Sequence, residues 1–199
     1  MSASPRRVAE RGELRRRIVE EATQLFAEKG FSGTSIRQLV AACGCTKPAL
    51  YYYFDSKETL FLEVVRMHMD RTSEMLEQTL TRPGSVRQRM RESVQSFIDY
   101  ARAEPMTMRL LQRVETRAEE GAPEVSCMAT RELHLGLLST LIQQGIEDGQ
   151  LRADVPPDEC ALVLAGAISF QFEMALATGE WDVARILRSL DLIFDGISR

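Results

Sequence analysis

Apolar positions along this chain recur three and four residues apart, and no stretch alternates apolar with polar long enough to suggest a strand. Leu14, Ile18, Ala22, Leu25 and Phe26 mark one face of a first helix, and Lys29-Gly30 with Phe31 beyond it reads as a glycine stop followed by a hydrophobic contact. Thr34-Ser35 can cap a short second helix that runs to about Ala42 and ends at the Cys43-Gly44-Cys45 turn. Thr46 then caps a third helix carrying Lys47 to Tyr53. Asp55 with Glu58 three residues on reads as a capping box that opens a long fourth helix. Leu60, Phe61, Val64, Met67 and Arg71 lie along one face of it, and continued to about Thr79 it would be roughly 35 Å long. Breakers at Arg82-Pro83-Gly84, Glu104-Pro105, Gly121-Ala122-Pro123, Gly149, Pro156-Pro157 and Thr178-Gly179 delimit five more helices, over about 85–103, 106–119, 124–148, 157–177 and 183–197. The expected fold is all-α, about nine helices in two parts, residues 1–56 and 57–199, with the long fourth helix linking them.

Composition adds little until it is divided. A chain of 199 residues with 44% hydrophobic and 27% charged positions can bury a core, which excludes a disordered or fibrous protein. The net charge of −4 speaks against nucleic acid only when taken whole. Residues 1–60 hold ten Lys/Arg against seven acids, a net +3, whereas the remaining 139 hold fifteen against twenty-two, a net −7. Cys43, Cys45, Cys127 and Cys160 lack zinc-ligand spacing and read as reduced thiols of a cytoplasmic protein. The opening Met-Ser-Ala-Ser-Pro-Arg-Arg is followed by no apolar h-region, so a secretory signal is not expected. Cys160–Ala177, broken by Ser169, Gln171 and Glu173, is too short and too polar for a membrane span, so no membrane partner is expected.

The informative segment is Thr34 to Lys57. Two short helices joined by a glycine-containing turn have the geometry of a helix-turn-helix, whose second helix enters the major groove of DNA. Thr34, Ser35 and Thr46 place hydroxyls at helix N-termini, where they can cap and also donate to phosphate. Lys47 opens the recognition helix; Tyr51, Tyr52 and Tyr53 offer phenol hydroxyls and rings; Lys57 points a cation at the backbone. Pro48 is tolerated because first-turn N–H groups have no intrahelical acceptor. Leu39, Leu50 and Phe54 are the residues expected to hold the two helices together. With Arg37, Cys45 and Pro48, these positions form the candidate DNA-binding set, and double-stranded DNA is the expected partner. Arg6, Arg7, Arg11 and Arg15-Arg16-Arg17 read either as an arm following DNA or as a solvated tail diluted by Glu10, Glu13 and Glu20.

From the stretch Ile18 to Phe31 through Thr34, Gly44, Thr46-Lys47, Ala49-Leu50-Tyr51, Tyr53-Phe54 and Ser56-Lys57-Glu58, the sequence resembles the DNA-binding domain of tetracycline-repressor (TetR) family regulators. The segment Gly145 to Arg152 is similar to the family's link between its seventh and eighth helices. Val40, Cys45, Pro48 and Tyr53 depart from the usual family residues, which leaves the operator sequence open. The resemblance implies an N-terminal helix-turn-helix domain and a C-terminal helical domain that binds a small molecule and forms a homodimer. It also implies a repressor released from a palindromic operator by its effector.

For the effector pocket the candidates are Phe97, Tyr100, Met106, Met108, Leu111, Cys127, Arg131, His134, Phe170 and Glu173, since Met and aromatic side chains adapt to apolar ligands. A carboxylate at Glu173 on so apolar a helix must find a partner or the surface. For the dimer the candidates are Leu162, Ala165, Ser169, Phe172 and Leu176 on the eighth helix, with Ile186, Leu190, Ile193, Phe194 and Ile197 on the ninth. Two readings compete. A helical ligand-binding or enzymatic protein would keep the motif as scaffold, yet two histidines, no serine elbow, no phosphate loop and no clustered carboxylates leave no nucleophile–base pair. No enzyme activity, cofactor or metal is therefore expected. Redox sensing through Cys43 and Cys45 has only nearby helix N-termini to lower their pKa.

Overall fold

A computed structural model describes residues 5–116 and 121–199 and contains nine α-helices among them. They are α1 (Pro5–Lys29), α2 (Ile36–Cys43), α3 (Lys47–Tyr53), α4 (Lys57–Thr81), α5 (Val86–Ala103), α6 (Pro105–Thr116), α7 (Met128–Glu147), α8 (Pro157–Thr178) and α9 (Val183–Ile197). The glycine and proline breakers therefore act where the sequence puts them. α1 starts earlier than its apolar face, so the backbone of Arg6, Arg7 and Arg11 belongs to its first turns; their side chains lie outside the described residues. α7 starts at Met128 and not near 124, and Ala122, Pro123, Glu124 and Val125 ahead of it line a cavity with residues of α1, α4 and α6.

Packing divides the chain into two compact units: residues 1–68 with 105–125, and 69–104 with 126–199. This differs from a division at residue 57, since α4 runs from one unit into the other and α6 packs with α1 in the first. In the first unit Ile18, Ala22, Phe26, Leu39, Leu50, Phe54, Leu60 and Leu110 are all at most 1% exposed. Phe61 stands edge-on to Phe26 and Phe31, at centroid distances of 5.1 and 5.2 Å. Burying such side chains contributes about 1.5–3 kcal/mol each.

In the second unit, α5, α7, α8 and α9 enclose a core of Val86, Met90, Val94, Ile98, Leu138, Leu141, Ile142, Leu164, Ile186, Leu190 and Phe194. Gly145 permits a close approach, as a Cβ there would lie 2.8 Å from both Leu151 and Val86. The buried Arg89 donates to the Leu80 carbonyl (2.9 Å) and to Gln144 Oε1 (3.0 Å), capping the C-terminal end of α4 with a cation. Ion pairs of Arg87 with Asp195 (2.5 Å) and of Arg91 with Asp191 tie α5 to α9. α8 spans 22 residues and is longer than the stretch read from the sequence, so by length and composition it is, contrary to that expectation, long and apolar enough to cross a membrane; its inward face packs on α7 and α9.

Candidate nucleic-acid interface

The α2–α3 pair is fixed by its caps. Ser35 Oγ accepts the Gln38 N–H (3.3 Å), while Gln38 Oε1 accepts the Ser35 N–H (2.9 Å), a reciprocal capping box. α2 stops at Gly44, whose φ of 58° and ψ of 37° are left-handed, and the Cys45 N–H returns to the Val40 carbonyl (3.1 Å). Thr46 Oγ1 then accepts the Ala49 N–H (3.3 Å) at the start of α3, with Pro48 in the first turn. Leu39, Leu50 and Phe54 are buried as expected, which anchors one side of α3 and turns the other outward.

That outward side carries most of the candidate set. Thr46, Lys47, Pro48, Tyr51 and Tyr52 are exposed, Tyr52 most of the large apolar side chains here at 65%, and Ser35 and Arg37 are exposed on the approach. Lys47 Nζ lies 5.7 Å from the Tyr51 ring centroid, and Tyr52 and Tyr53 meet edge-on at 5.0 Å. Tyr53 and Cys45 are half-buried. A cation, a hydroxyl and two phenols at the first turns of an exposed helix are suited to base edges and phosphates.

Two members of the set have other work. Thr34 is buried, and its hydroxyl donates to the Gly30 carbonyl (2.7 Å), so it closes the α1–α2 turn and does not face phosphate. Lys57 donates to the carbonyls of Phe31 (2.9 Å) and Thr34 (3.0 Å) and lies 3.9 Å from the Phe31 ring centroid. Its ammonium ties the α1–α2 turn to the start of α4. The cap there is also one residue later than the sequence suggests: Ser56 Oγ accepts the Thr59 N–H (3.1 Å). Glu58 in this first turn has its carboxyl held below the usual range by its own backbone N–H and the Ser56 hydroxyl.

Of the arginine run, Arg15 pairs with Glu63 of α4 and stacks over Phe54, while Arg16 is bracketed by Glu13 and Glu20 at 2.7 Å each. Burial, with the neighbouring Cys45 thiol second, pushes the Cys43 thiol up to about 12, which argues against a reactive thiolate there. Two contacts were not legible in the sequence. His68 Nε2 lies 3.2 Å from Thr23 Oγ1, and His134 Nε2 lies 3.0 Å from Ser73 Oγ. Each hydroxyl already donates to a helix carbonyl, Val19 or Met69, so each imidazole donates from Nε2. Burial lowers the pKa of both histidines.

The effector candidates do not form one group. Met106, Met108 and Leu111 sit on α6 in the first unit, with Met108 buried at 2%. Phe97, Tyr100, Cys127, Arg131, His134, Phe170 and Glu173 belong to the second. There Phe97 stacks on Phe172 at 4.6 Å, and Phe172 meets Trp181 at 5.7 Å. Phe170 is 62% exposed and Glu173 is exposed, so Phe170 faces outward from its unit and Glu173 meets its charge requirement at the surface. Among the dimer candidates, Ile186, Leu190 and Phe194 are at most 3% exposed in the core of their own chain and are not available to a second copy. Ala165, Phe172, Ile193 and Ile197 pack against that core as well, Leu176 is half-buried, and Ser169 is exposed. The apolar side chains left outward are Leu162, Val163, Phe170 and Met174 on α8 and Leu192 on α9. Among the described residues no group of three or more His, Cys, Asp or Glu side chains could hold a metal ion.

A short helix set outward after a left-handed glycine turn, braced by a longer helix behind it, defines a helix-turn-helix DNA-binding protein. Residues 18–64 match the family model described as bacterial regulatory proteins, tetR family. The chain is 29% identical over 189 residues to the HTH-type transcriptional repressor AcnR of Corynebacterium efficiens, covering 93% of each. It is 30% identical over 101 residues to the HTH-type transcriptional activator FasR of Mycolicibacterium smegmatis, 51% of this chain but only 46% of that relative's length. Its fold matches SmeT, the repressor of the Stenotrophomonas maltophilia multidrug efflux pump SmeDEF, with a TM-score of 0.75 at 20% identity over 93% of this chain and 90% of that one. Residues 18–64 thus match the DNA-binding segment of the tetR family, and the chain is similar to TetR-family regulators along most of its length.

Proposed function

We propose that this chain is a cytoplasmic transcriptional repressor, and not an enzyme, that binds a palindromic DNA operator as a homodimer and is released by a small molecule. The observation that carries the DNA reading is the outward face of α3. Thr46, Lys47, Tyr51 and Tyr52 are exposed together, while Leu50 and Phe54 fix the helix from behind. In a dimer two such helices would sit about 34–36 Å apart, in successive major grooves. The outward apolar stripe of α8, Leu162, Phe170 and Met174 with Gly166 between them, supports pairing with a second copy. The effector part is the second unit, where Phe97, Tyr100, Cys127, Arg131 and His134 remain the candidates. α4 continues from that unit into the helix-turn-helix unit, so ligand affinity and DNA affinity trade off by linkage.

Mobility shift with fragments of the source genome tests this reading. Lys47→Ala and Tyr52→Ala are expected to weaken specific binding by about tenfold each, as each loses about 1–3 kcal/mol of contact. Their thermal stability should stay unchanged, because both side chains are exposed. Full specific affinity in both variants would overturn the assignment of α3.

A further inference from the structure

α3 carries a single charged side chain, Lys47, exposed on its first turn. Arg15 and Arg16 of the same unit are held by carboxylates and Lys57 by carbonyls. The Lys47 ammonium instead stands 5.7 Å from the Tyr51 ring centroid, one turn along the same face. A ring at that distance steadies the cation without occupying its N–H donors. The side chains around it differ in kind. Thr46 to Phe54 contain no Asp, Glu, Asn or Gln. The single amide of α2, Gln38, is half-buried, and its Oε1 accepts the Ser35 N–H (2.9 Å) and the Ser35 hydroxyl (2.8 Å). Asp55 follows the buried Phe54, at the other end of α3. The hydroxyls of Thr46, Tyr51 and Tyr52 donate and accept alike, so they do not select between bases. Lys47 is the one side chain of α3 that only donates.

We propose that Lys47 reads a guanine, and that each operator half-site carries a G·C pair at one fixed position for that reason. In the major groove guanine presents two acceptors, N7 and O6, and both match a group that only donates. Adenine sets an N6 donor beside its N7, cytosine offers only its N4 donor, and thymine has O4 alone beside a methyl group. An ammonium therefore meets a donor on adenine and on cytosine, and half the acceptors on thymine. Its place in the motif favours a base edge over phosphate. Lys47 lies in the first turn of the second helix, the part that reaches base edges, whereas the exposed Arg37 lies on the helix that crosses the DNA backbone. This inference rests on the DNA reading proposed above and adds the base to it.

The test is selection of binding sequences from a library of random DNA duplexes by the full chain, with Lys47→Ala and Lys47→Arg selected in parallel. Circular dichroism confirms the fold of each variant, and the exposure of Lys47 makes both substitutions compatible with it. The parent should select one G·C pair per half-site that Lys47→Ala leaves undetermined while the rest of the motif persists. Lys47→Arg should keep the guanine, because a guanidinium also donates to N7 and O6. Changing that pair to A·T in one half-site should weaken the parent about tenfold and Lys47→Ala by less than about twofold. A motif that Lys47→Ala preserves at every position, with binding weakened alike on all sequences, would make Lys47 a phosphate contact. That result would overturn the proposal and leave the DNA reading standing, as would the loss of a pair other than G·C. A parent that enriches no sequence at all would overturn the DNA reading itself, and this inference with it.

Discussion

Replacing Lys57 by Met separates a structural role for this side chain from a phosphate contact. Met keeps the apolar stem and removes the ammonium, which donates at 2.9 and 3.0 Å to the Phe31 and Thr34 carbonyls and lies 3.9 Å from the Phe31 ring centroid. A hydrogen bond with a charged partner contributes about 1.5–3 kcal/mol. A cation over a ring adds about 0.5–1 kcal/mol when solvent can reach it. Lys57 is half-buried, so the lower ends apply, and the Phe31 carbonyl still accepts the Thr34 N–H after the change. The expected loss is about 2–3 kcal/mol. For a unit of this size, with a urea slope of about 1 kcal/mol per molar, the midpoint should fall by about 2–3 M. Urea unfolding followed by circular dichroism measures it, while emission from Trp181, which lies in the second unit, reports that unit separately and should move little. A side chain acting mainly on phosphate would behave otherwise. Stability would stay within about 0.5 kcal/mol of the parent, and the slope of log affinity against log salt would drop by about 1. That pair of results would refute the assignment of Lys57 as a clamp.

Phe170→Asp places a charge on an exposed face, so the fold should persist while the species in analytical ultracentrifugation shifts to monomer; Leu190→Asp, buried at 1%, should instead unfold the second unit. A dimer that survives Phe170→Asp combined with Leu162→Asp would remove α8 from the interface. Stability should fall as pH drops below about 6.5, because His68 and His134 have folded-state pKa values lowered by burial and the unfolded chain takes up protons first. The stabilisation is complete above the unfolded pKa and is lost on descent towards the folded values; thermal melts of the double His→Gln variant should lose part of that slope. Gly44→Ala should cost about 1–2 kcal/mol in chemical denaturation, since φ is 58° there and a Cβ meets nothing within 4 Å, leaving backbone strain as the only term.

Local chemistry was legible wherever one residue type has one conformational use. Gly44 needed no tertiary information to end α2, nor Thr46 to begin α3, and the period of Ile18, Ala22 and Phe26 shows a buried face by itself. The outward residues of α3 followed from that, because burying Leu50 determines where Lys47 and Tyr52 point. What failed did so where a side chain had two plausible partners. Lys57 and Thr34 are as suited to phosphate as to a carbonyl, and only the close approach of the α1–α2 turn to α4 decides between them. On α9 the near-heptad of Ile186, Leu190 and Phe194 is a real apolar seam, but periodicity cannot say whether it meets the chain's own α5 and α8 or a second copy.

The sequence by itself therefore determined an all-helical chain, its breakers, and a basic helix-turn-helix whose exposed helix follows from local caps and one buried stripe. Those depend on interactions between residues a turn or two apart. Only the tertiary structure decided that α6 packs with α1, that α8 and not α9 carries most of the outward apolar surface, and that a cavity opens beneath the Phe31 turn. These depend on which surfaces meet across long stretches of chain, and apolar side chains carry no label for their partner: burial is non-directional, and shape complementarity in three dimensions chooses it.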